Sequence, residues 1–196
     1  MDSQILAFRD KLKDKLDPMR YEHSLSVSYT CMNLAMRYGY DVDKAEMAGL
    51  LHDCAKRYND QTIILKCAKH GIEITEDERL APAVLHAKYG AWVAENKFGI
   101  TDRLILEAIA CHTTGKPQMN WLDLILYIAD YIEPRRYKAG NLAEMRRLAY
   151  VSLEDTAYAI LSSTLDYLGG KGCYIDSMTQ KAYNYYKARR VNQEGE

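Results

Sequence analysis

Nowhere do the 196 residues contain the roughly 20 uninterrupted apolar residues that a membrane span requires. The start, Met1-Asp2-Ser3-Gln4 with charge by Arg9, lacks the basic opening and apolar core of a signal peptide. Neither sign of charge dominates, for 26 Lys and Arg stand against 27 Asp and Glu, a formal net charge of −1. A polybasic nucleic-acid binder or an anionic-membrane binder therefore has no global electrostatic support, and neither partner is expected. The five cysteines (Cys31, Cys54, Cys67, Cys111, Cys173) are odd in number and form no C-x-x-C pair. That argues against a disulfide framework or a zinc knuckle and for reduced thiols in a cytoplasm, each a small core residue in an apolar helical context. Phenylalanine is nearly missing, with two against sixteen tyrosines, so most ring surface carries a polar tip suited to partly buried positions or interfaces. Gly169-Gly170-Lys171-Gly172 lacks the spacing of a phosphate-binding P-loop and reads as a helix stop and turn. No period-two alternation bounded by turn dipeptides supports a strand, and no repeat, low-complexity tract or linker divides the chain.

What is present is the balance of an ordinary globular protein, 48% apolar and 27% charged, too apolar for intrinsic disorder. A chain of this length buries roughly 70% of its unfolded surface. Helical punctuation runs from end to end. Asp17-Pro18 reads as an N-cap with Pro at the first helical position, and Gly39 stops the helix that follows. Asp43…Glu46, Thr75…Glu78, Ser152…Asp155 and Ser177…Gln180 resemble capping boxes, and Gly71, Gly99 and Gly169 follow apolar-periodic stretches. These marks predict helices near 4–16, 18–38, 43–56, 60–70, 83–98, 101–112, 120–132, 141–149, 152–168 and 178–190, an all-α single domain.

Of only five histidines, four fall on four different predicted helices: His23, His52, His86 and His112. Asp53 follows His52 directly, and Asp130 interrupts the apolar stretch from Leu122 to Ile132. An ionised carboxylate there is costly to bury without a partner, which favours a metal or strong cation over an exposed or capping role. Adjacent residues on a helix project about 100° apart, so His52 and Asp53 reach one ion only if it sits over the helix edge. Taken singly, His23 and His86 read as satisfied core or surface histidines, and His112 and His70 as cations complementing helix C-termini; for His70 that reading is kept. Lys187, Arg189 and Arg190 read the same way at the end of the last helix. Tyr183, Tyr185 and Tyr186 form a packing or dimer surface.

The ordered series H…HD…H…H…D on an all-α chain resembles the HD-domain superfamily of metal-dependent phosphohydrolases. Four strings, Arg20-Tyr21-Glu22-His23-Ser24, His52-Asp53-Cys54-Ala55-Lys56, Cys111-His112-Thr113-Thr114-Gly115 and Ile128-Ala129-Asp130-Tyr131-Ile132-Glu133-Pro134-Arg135-Arg136, are similar to the YqeK family of symmetrical dinucleoside-tetraphosphate hydrolases. The resemblance implies one helical, bundle-like HD domain over 1–196, with a core of about 18–132 and helices of 141–190 completing the site. It implies His23, His52, Asp53 and Asp130 as metal ligands. It further implies Asp53, Lys56 and His86 as catalytic residues, with substrate contacts from Lys56, Arg57, His86, His112, Thr113, Arg136 and the Tyr174-Ile175-Asp176-Ser177 stretch. The metal it favours is Fe, with Mn, Co or Zn also suited to two imidazoles and two carboxylates. A mononuclear site is preferred to a dinuclear one in which His86 and His112 hold a second ion. On this reading water attacks a phosphoanhydride of diadenosine tetraphosphate to give two ADP, while Lys56, Arg136 and protonated His86 or His112 offset the developing charge. Rival readings are another HD-type nucleotide phosphohydrolase, a non-catalytic nucleotide or metal sensor, and, weakest, a Cys111-His112 thiol hydrolase. A homodimer is also expected.

Overall fold

A computed structural model describes residues 3–194, and among them there is no strand. Eleven α-helices follow one another: α1 (Ser3–Lys13), α2 (Pro18–Tyr38), α3 (Val42–Leu51), α4 (Asp60–Lys69), α5 (Glu76–Leu80), α6 (Leu85–Phe98), α7 (Arg103–Cys111), α8 (Trp121–Ile132), α9 (Leu142–Leu148), α10 (Leu153–Gly170) and α11 (Ser177–Glu194), with a 3₁₀ turn at Pro82–Val84.

Local chemistry accounts for most boundaries. Asp17 caps α2 by accepting from the Arg20 N–H, Pro18 opens the helix, and Gly39 closes it in the left-handed conformation at φ 67°. Thr75 and Glu78 form a reciprocal capping box at α5, and Ser152 accepts from the Asp155 N–H at α10. Two expected caps move. α3 is capped by Asp41, not Asp43, because Asp41 has the extended backbone an N-cap needs while Asp43 already lies inside the first turn. At α11 the first free N–H, that of Met178, is taken by Asp176, one residue before the expected Ser177. α5 and the 3₁₀ turn are additional elements. The predicted helix 43–56 ends at Leu51, and α10 runs past Gly169 to Gly170.

α8 is the axis of the fold. It is apolar on nearly every side, with Leu122, Ile125, Leu126 and Ile128 fully buried, and it touches α2, α3, α7 and α10. A helix apolar all round must be enclosed, so the other helices wrap it. Leu34 of α2, Leu50 and Leu51 of α3, Ile109 of α7 and Ile160 of α10 complete the core. α11 is held to α10 by stacking of Tyr183 on Tyr158, and Tyr186 is buried with its hydroxyl accepting from the Met119 N–H. These tyrosines thus serve packing, and Arg189, well inside α11, pairs with Glu154. Four cysteines are buried as expected, but Cys173 is exposed in the turn after α10.

Candidate metal centre and active site

Four helix ends meet beside the C-terminal half of α8. His23 comes from α2, His52 caps α3, His86 lies in the first turn of α6 and His112 caps α7. Past Leu51 the chain tightens into i→i+3 bonds, from Cys54 N–H to Leu51 O and from Lys56 N–H to Asp53 O. Successive side chains there turn by about 120° instead of 100°.

All four imidazoles are oriented in one way. His52, His86 and His112 each donate Nδ1–H to the carbonyl three residues back (Gly49, Ala83 and Ile109) at 2.7, 2.5 and 2.7 Å. His23 donates Nδ1–H to Glu133 Oε1 at 3.3 Å. With Nδ1 committed, every Nε2 points inward, the tautomer arrangement typical of metal-ligating histidines.

At the focus lies Asp53, 1% exposed. Its Oδ2 is 3.5 Å from His52 Nε2, 3.8 Å from His23 Nε2 and 3.2 Å from Lys56 Nζ. Its Oδ1 faces His86 Nε2 at 3.3 Å and His112 Nε2 at 3.6 Å. Asp130 Oδ1 closes the first set at 3.0 Å from His23 Nε2 and 3.8 Å from His52 Nε2. Such separations suit donors sharing one ion at about 2.1 Å. Two groups, His23-His52-Asp130 and His52-Asp53-His112, have ligand atoms within 4.8 Å of one another. His52 Nε2 and Asp53 Oδ1 are buried without any hydrogen-bond partner. A buried acceptor left unpaired is costly, and a cation at this point satisfies both atoms.

The electrostatics agree. Burial alone would raise the carboxyls, but the imidazoles facing it, His52 first and then His112 and His86, hold Asp53 well below the usual range. Against the same burial, His23, His52 and Arg136 do so for Asp130. Both are anions. Burial would lower His23, yet Asp130 and Glu133 raise it from 6.5 to about 9. A proton on Nε2, bridged to Asp130, takes the place a divalent cation would hold. His86 is shifted the other way, lowered chiefly by burial against the pull of Asp53. It is therefore neutral near pH 7, in contrast to the expected imidazolium, because its ring is enclosed. Burial also pushes the Cys111 thiol up, which removes the thiol nucleophile.

Around this centre are the phosphate-sized features. A recess of about 230 Å³ is lined by Lys56, His86, His112, Thr113, Arg136 and, from the C-terminal region, Ile160 and Thr164 of α10. A more open depression on the other side shares Lys56 and Arg136 with it. A third cleft, of about 540 Å³, adjoins through Thr113 and includes Asp176 and Ser177. Arg136 pairs with Asp130 at 2.7 Å.

The structure thus brings together His23, His52, Asp53, Lys56, His86, His112, Thr113, Asp130 and Arg136. Arg57 is placed elsewhere, its guanidinium 4.5 Å over the Tyr58 ring and lining a separate recess. Tyr174 hydrogen-bonds Asp77 and, with Ile175, lines none of the three cavities. Two residues escaped the sequence reading. Glu133 accepts from His23 Nδ1, from Ser26 Oγ at 2.6 Å and from the Arg135 N–H at 2.7 Å. Arg146 binds the carbonyls of Ile132, Glu133 and Arg136, shaping the loop that carries Arg136. Glu133 directly follows the α8 apolar run in the string already singled out, which was the available signal. Replacing it by Gln removes the charge that orients His23. We expect metal affinity to fall about 10- to 100-fold, read by chelator competition, with helical content unchanged.

The sequence profile described as HD domain matches residues 20–135. The chain belongs to that family. An HD domain implies a divalent metal, and the clustered His and Asp side chains are able to bind one. Among HD-domain relatives, the chain is 37% identical over 177 residues to "Bis(5'-nucleosyl)-tetraphosphatase, symmetrical" of Staphylococcus aureus, covering 89% of this chain and 90% of that one. It is 34% identical over 176 residues to the protein of the same name in Bacillus subtilis, covering 89% and 92%. A crystal structure from Clostridium acetobutylicum, described as a predicted HD superfamily hydrolase involved in NAD metabolism, superposes with a TM-score of 0.90 at 38% identity, covering 93% of this chain and 96% of that one. The all-α HD fold expected from the H…HD…H…H…D series is the fold observed.

Proposed function

We propose that this protein hydrolyses dinucleoside tetraphosphates, diadenosine tetraphosphate foremost, symmetrically into two nucleoside diphosphates. The observation that carries this reading is the ring of four inward Nε2 atoms around Asp53, with Lys56 and Arg136 on the open side and cavities on both flanks. The tetraphosphatase names of relatives covering about nine-tenths of the chain support the substrate class. His23, His52, Asp53 and Asp130 would hold the ion. Two imidazoles with two carboxylates suit Fe, Mn, Co or Zn, and the family resemblance favours iron. A divalent cation there supplies Lewis acidity, which lowers the pKa of water towards neutrality and polarises a phosphoryl oxygen. Asp53, ionised and buried, orients the attacking water. Lys56 and Arg136 neutralise charge gathering on the phosphoryl oxygens, and the Thr113 hydroxyl donates to the phosphate in the small recess that His86 lines. The Cys173 thiol is free and exposed, which supports a reducing cytoplasmic setting; no described helix is long and apolar enough to cross a membrane.

Chromatography of the products from diadenosine tetraphosphate, with and without chelator, tests the reading. Two ADP formed only with metal is the expected result; AMP plus ATP, or ADP formation indifferent to chelator, would overturn it. A two-ion site is a second reading, favoured by the division of Asp53 between Oδ2 on the His23 side and Oδ1 on the His86 side. For the one-ion site we expect His86→Ala to raise KM about tenfold while metal content stays at one equivalent. Loss of an equivalent in that variant establishes two ions.

A further inference from the structure

Separate from the cavities of the candidate active site, α1, α4 and α6 end close together and enclose a recess of about 300 Å³. Its rim carries Lys15, Arg57, Lys66, Lys69 and Lys97, and its floor carries Tyr58, His70, Tyr89 and Cys54. It shares no lining residue with the cavities at the metal centre. In a chain whose net charge is −1, five converging cations need an explanation.

Ordinary surface pairing does not provide one. Lys44, Lys88 and Lys116 elsewhere each reach a carboxylate at 2.8 Å. None of these five has a carboxylate within 4.0 Å among the described residues, and none lines the recess. The helix ends explain only part. Three C-termini bring roughly −1.5 charge in all, which leaves about +3.5 uncompensated. The cations crowd one another, for after burial the largest influences lowering His70 are Lys69, Lys97 and Lys66. Several are drawn onto rings instead: Arg57 and Lys66 each sit 4.5 Å from the Tyr58 centroid, and Lys97 lies 5.6 Å from that of Trp92. His70, which lines the recess, is itself stacked on Trp92 at 3.8 Å, so Trp92 lies directly behind its aromatic wall.

We propose that this recess is a second anion site that takes the oligophosphate chain of a nucleotide or of inorganic polyphosphate. In a phosphate chain the terminal group carries about −1.5 to −2 at neutral pH and each internal group about −1, so a nucleotide's chain of two or three groups matches the uncompensated charge. Four lysines act as adaptable point charges, while Arg57 offers a planar fork to two oxygens of one phosphate. The volume lies at the small end of ligand pockets, enough for a phosphate chain and too little for a whole dinucleotide. Arg57 and Tyr58 close the turn that carries His52, Asp53 and Lys56, so an occupant rests on the back of the metal-site turn. The site does not depend on the hydrolase reading.

Trp92 provides the probe. The chain has two tryptophans, and the other, Trp121, is 52% exposed at a distant cleft. In a Trp121→Phe background, sodium tripolyphosphate titrated at low ionic strength should give a saturable change in Trp92 fluorescence. Lys66→Ala combined with Lys69→Ala, both partly or fully exposed, should weaken the apparent Kd at least tenfold, whereas Arg136→Ala should leave it unchanged. A titration with no saturable change overturns the proposal. So does a response kept in the double variant, including one caused by stripping of the metal, or a response lost in Arg136→Ala. An ATP arm separates the sources: tighter binding of ATP than of tripolyphosphate assigns the site to nucleotides, and equal binding assigns it to the phosphate chain alone. Binding of ATP without tripolyphosphate would refute the phosphate-chain assignment.

Discussion

Asp53→Asn should abolish hydrolysis of diadenosine tetraphosphate, lowering kcat/KM by about 10³-fold or more, equivalent to about 4 kcal/mol of transition-state stabilisation. The size of the effect follows from position. Asp53 is the one carboxylate that faces all four inward imidazoles and Lys56. Losing a single preorganised charge typically costs about 10²- to 10³-fold, and Asn removes the charge and a ligand oxygen together. Metal content by mass spectrometry should fall in parallel. Lys56→Ala supplies the contrast. Lys56 touches Asp53 from the solvent side and is not a donor to the ion, so the metal should stay while kcat drops about 10²-fold. An Asp53→Asn enzyme with wild-type turnover would remove Asp53 from the reaction altogether.

How much of this was legible beforehand depends on what each residue is close to in sequence. Asp130 was conspicuous because it breaks an apolar run on α8, and burial of that run forces the carboxylate to find a cation. Glu133 was not, since it lies just past the run and its meaning comes from His23, 110 positions away. Arg57 was misleading for a geometric reason. Beyond Leu51 the backbone winds in i→i+3 turns, and that tighter rotation sends Lys56 to the metal centre and Arg57 to a separate recess. α5 shows a different limit. Its Thr75…Glu78 capping box was readable, but five residues with none buried offer no apolar periodicity to extend it. The charge balance hid the most: a net −1 says nothing of three carboxylates gathered at one centre and five cations gathered at another.

The tightest constraint on the site is a glycine with no chemistry of its own. Gly49 of α3 lies against α2 so closely that a Cβ would fall 2.7 Å from Ser28 Cα and 3.0 Å from both Ser28 N and Cys31 Sγ. Two of those atoms are backbone, so no rotamer change relieves the clash and the helices must part. In an open helix, Gly→Ala gains about 1 kcal/mol. Here overpacking, which costs about 1–3 kcal/mol or more, outweighs that gain. The consequence reaches the metal centre directly. His23 rides on α2, His52 follows α3 and donates Nδ1–H to the Gly49 carbonyl itself, and the two rings sit 5.2 Å apart. Parting the helices by a few tenths of an ångström widens the gap between His23 Nε2 and His52 Nε2, which one ion must span. We expect Gly49→Ala to lose about 2 kcal/mol net in urea unfolding, near 4–8 °C in Tm for a chain of this size, and to bind metal at least tenfold more weakly. Gly90→Ala is the graded control: its Cβ would stand 3.3 Å from the His52 carbonyl oxygen and 3.6 Å from the Ile109 Cγ2 methyl, so a smaller loss is expected. Equal stability and equal metal affinity in Gly49→Ala and the parent would show that the α2–α3 approach is not what sets the spacing of the ligands.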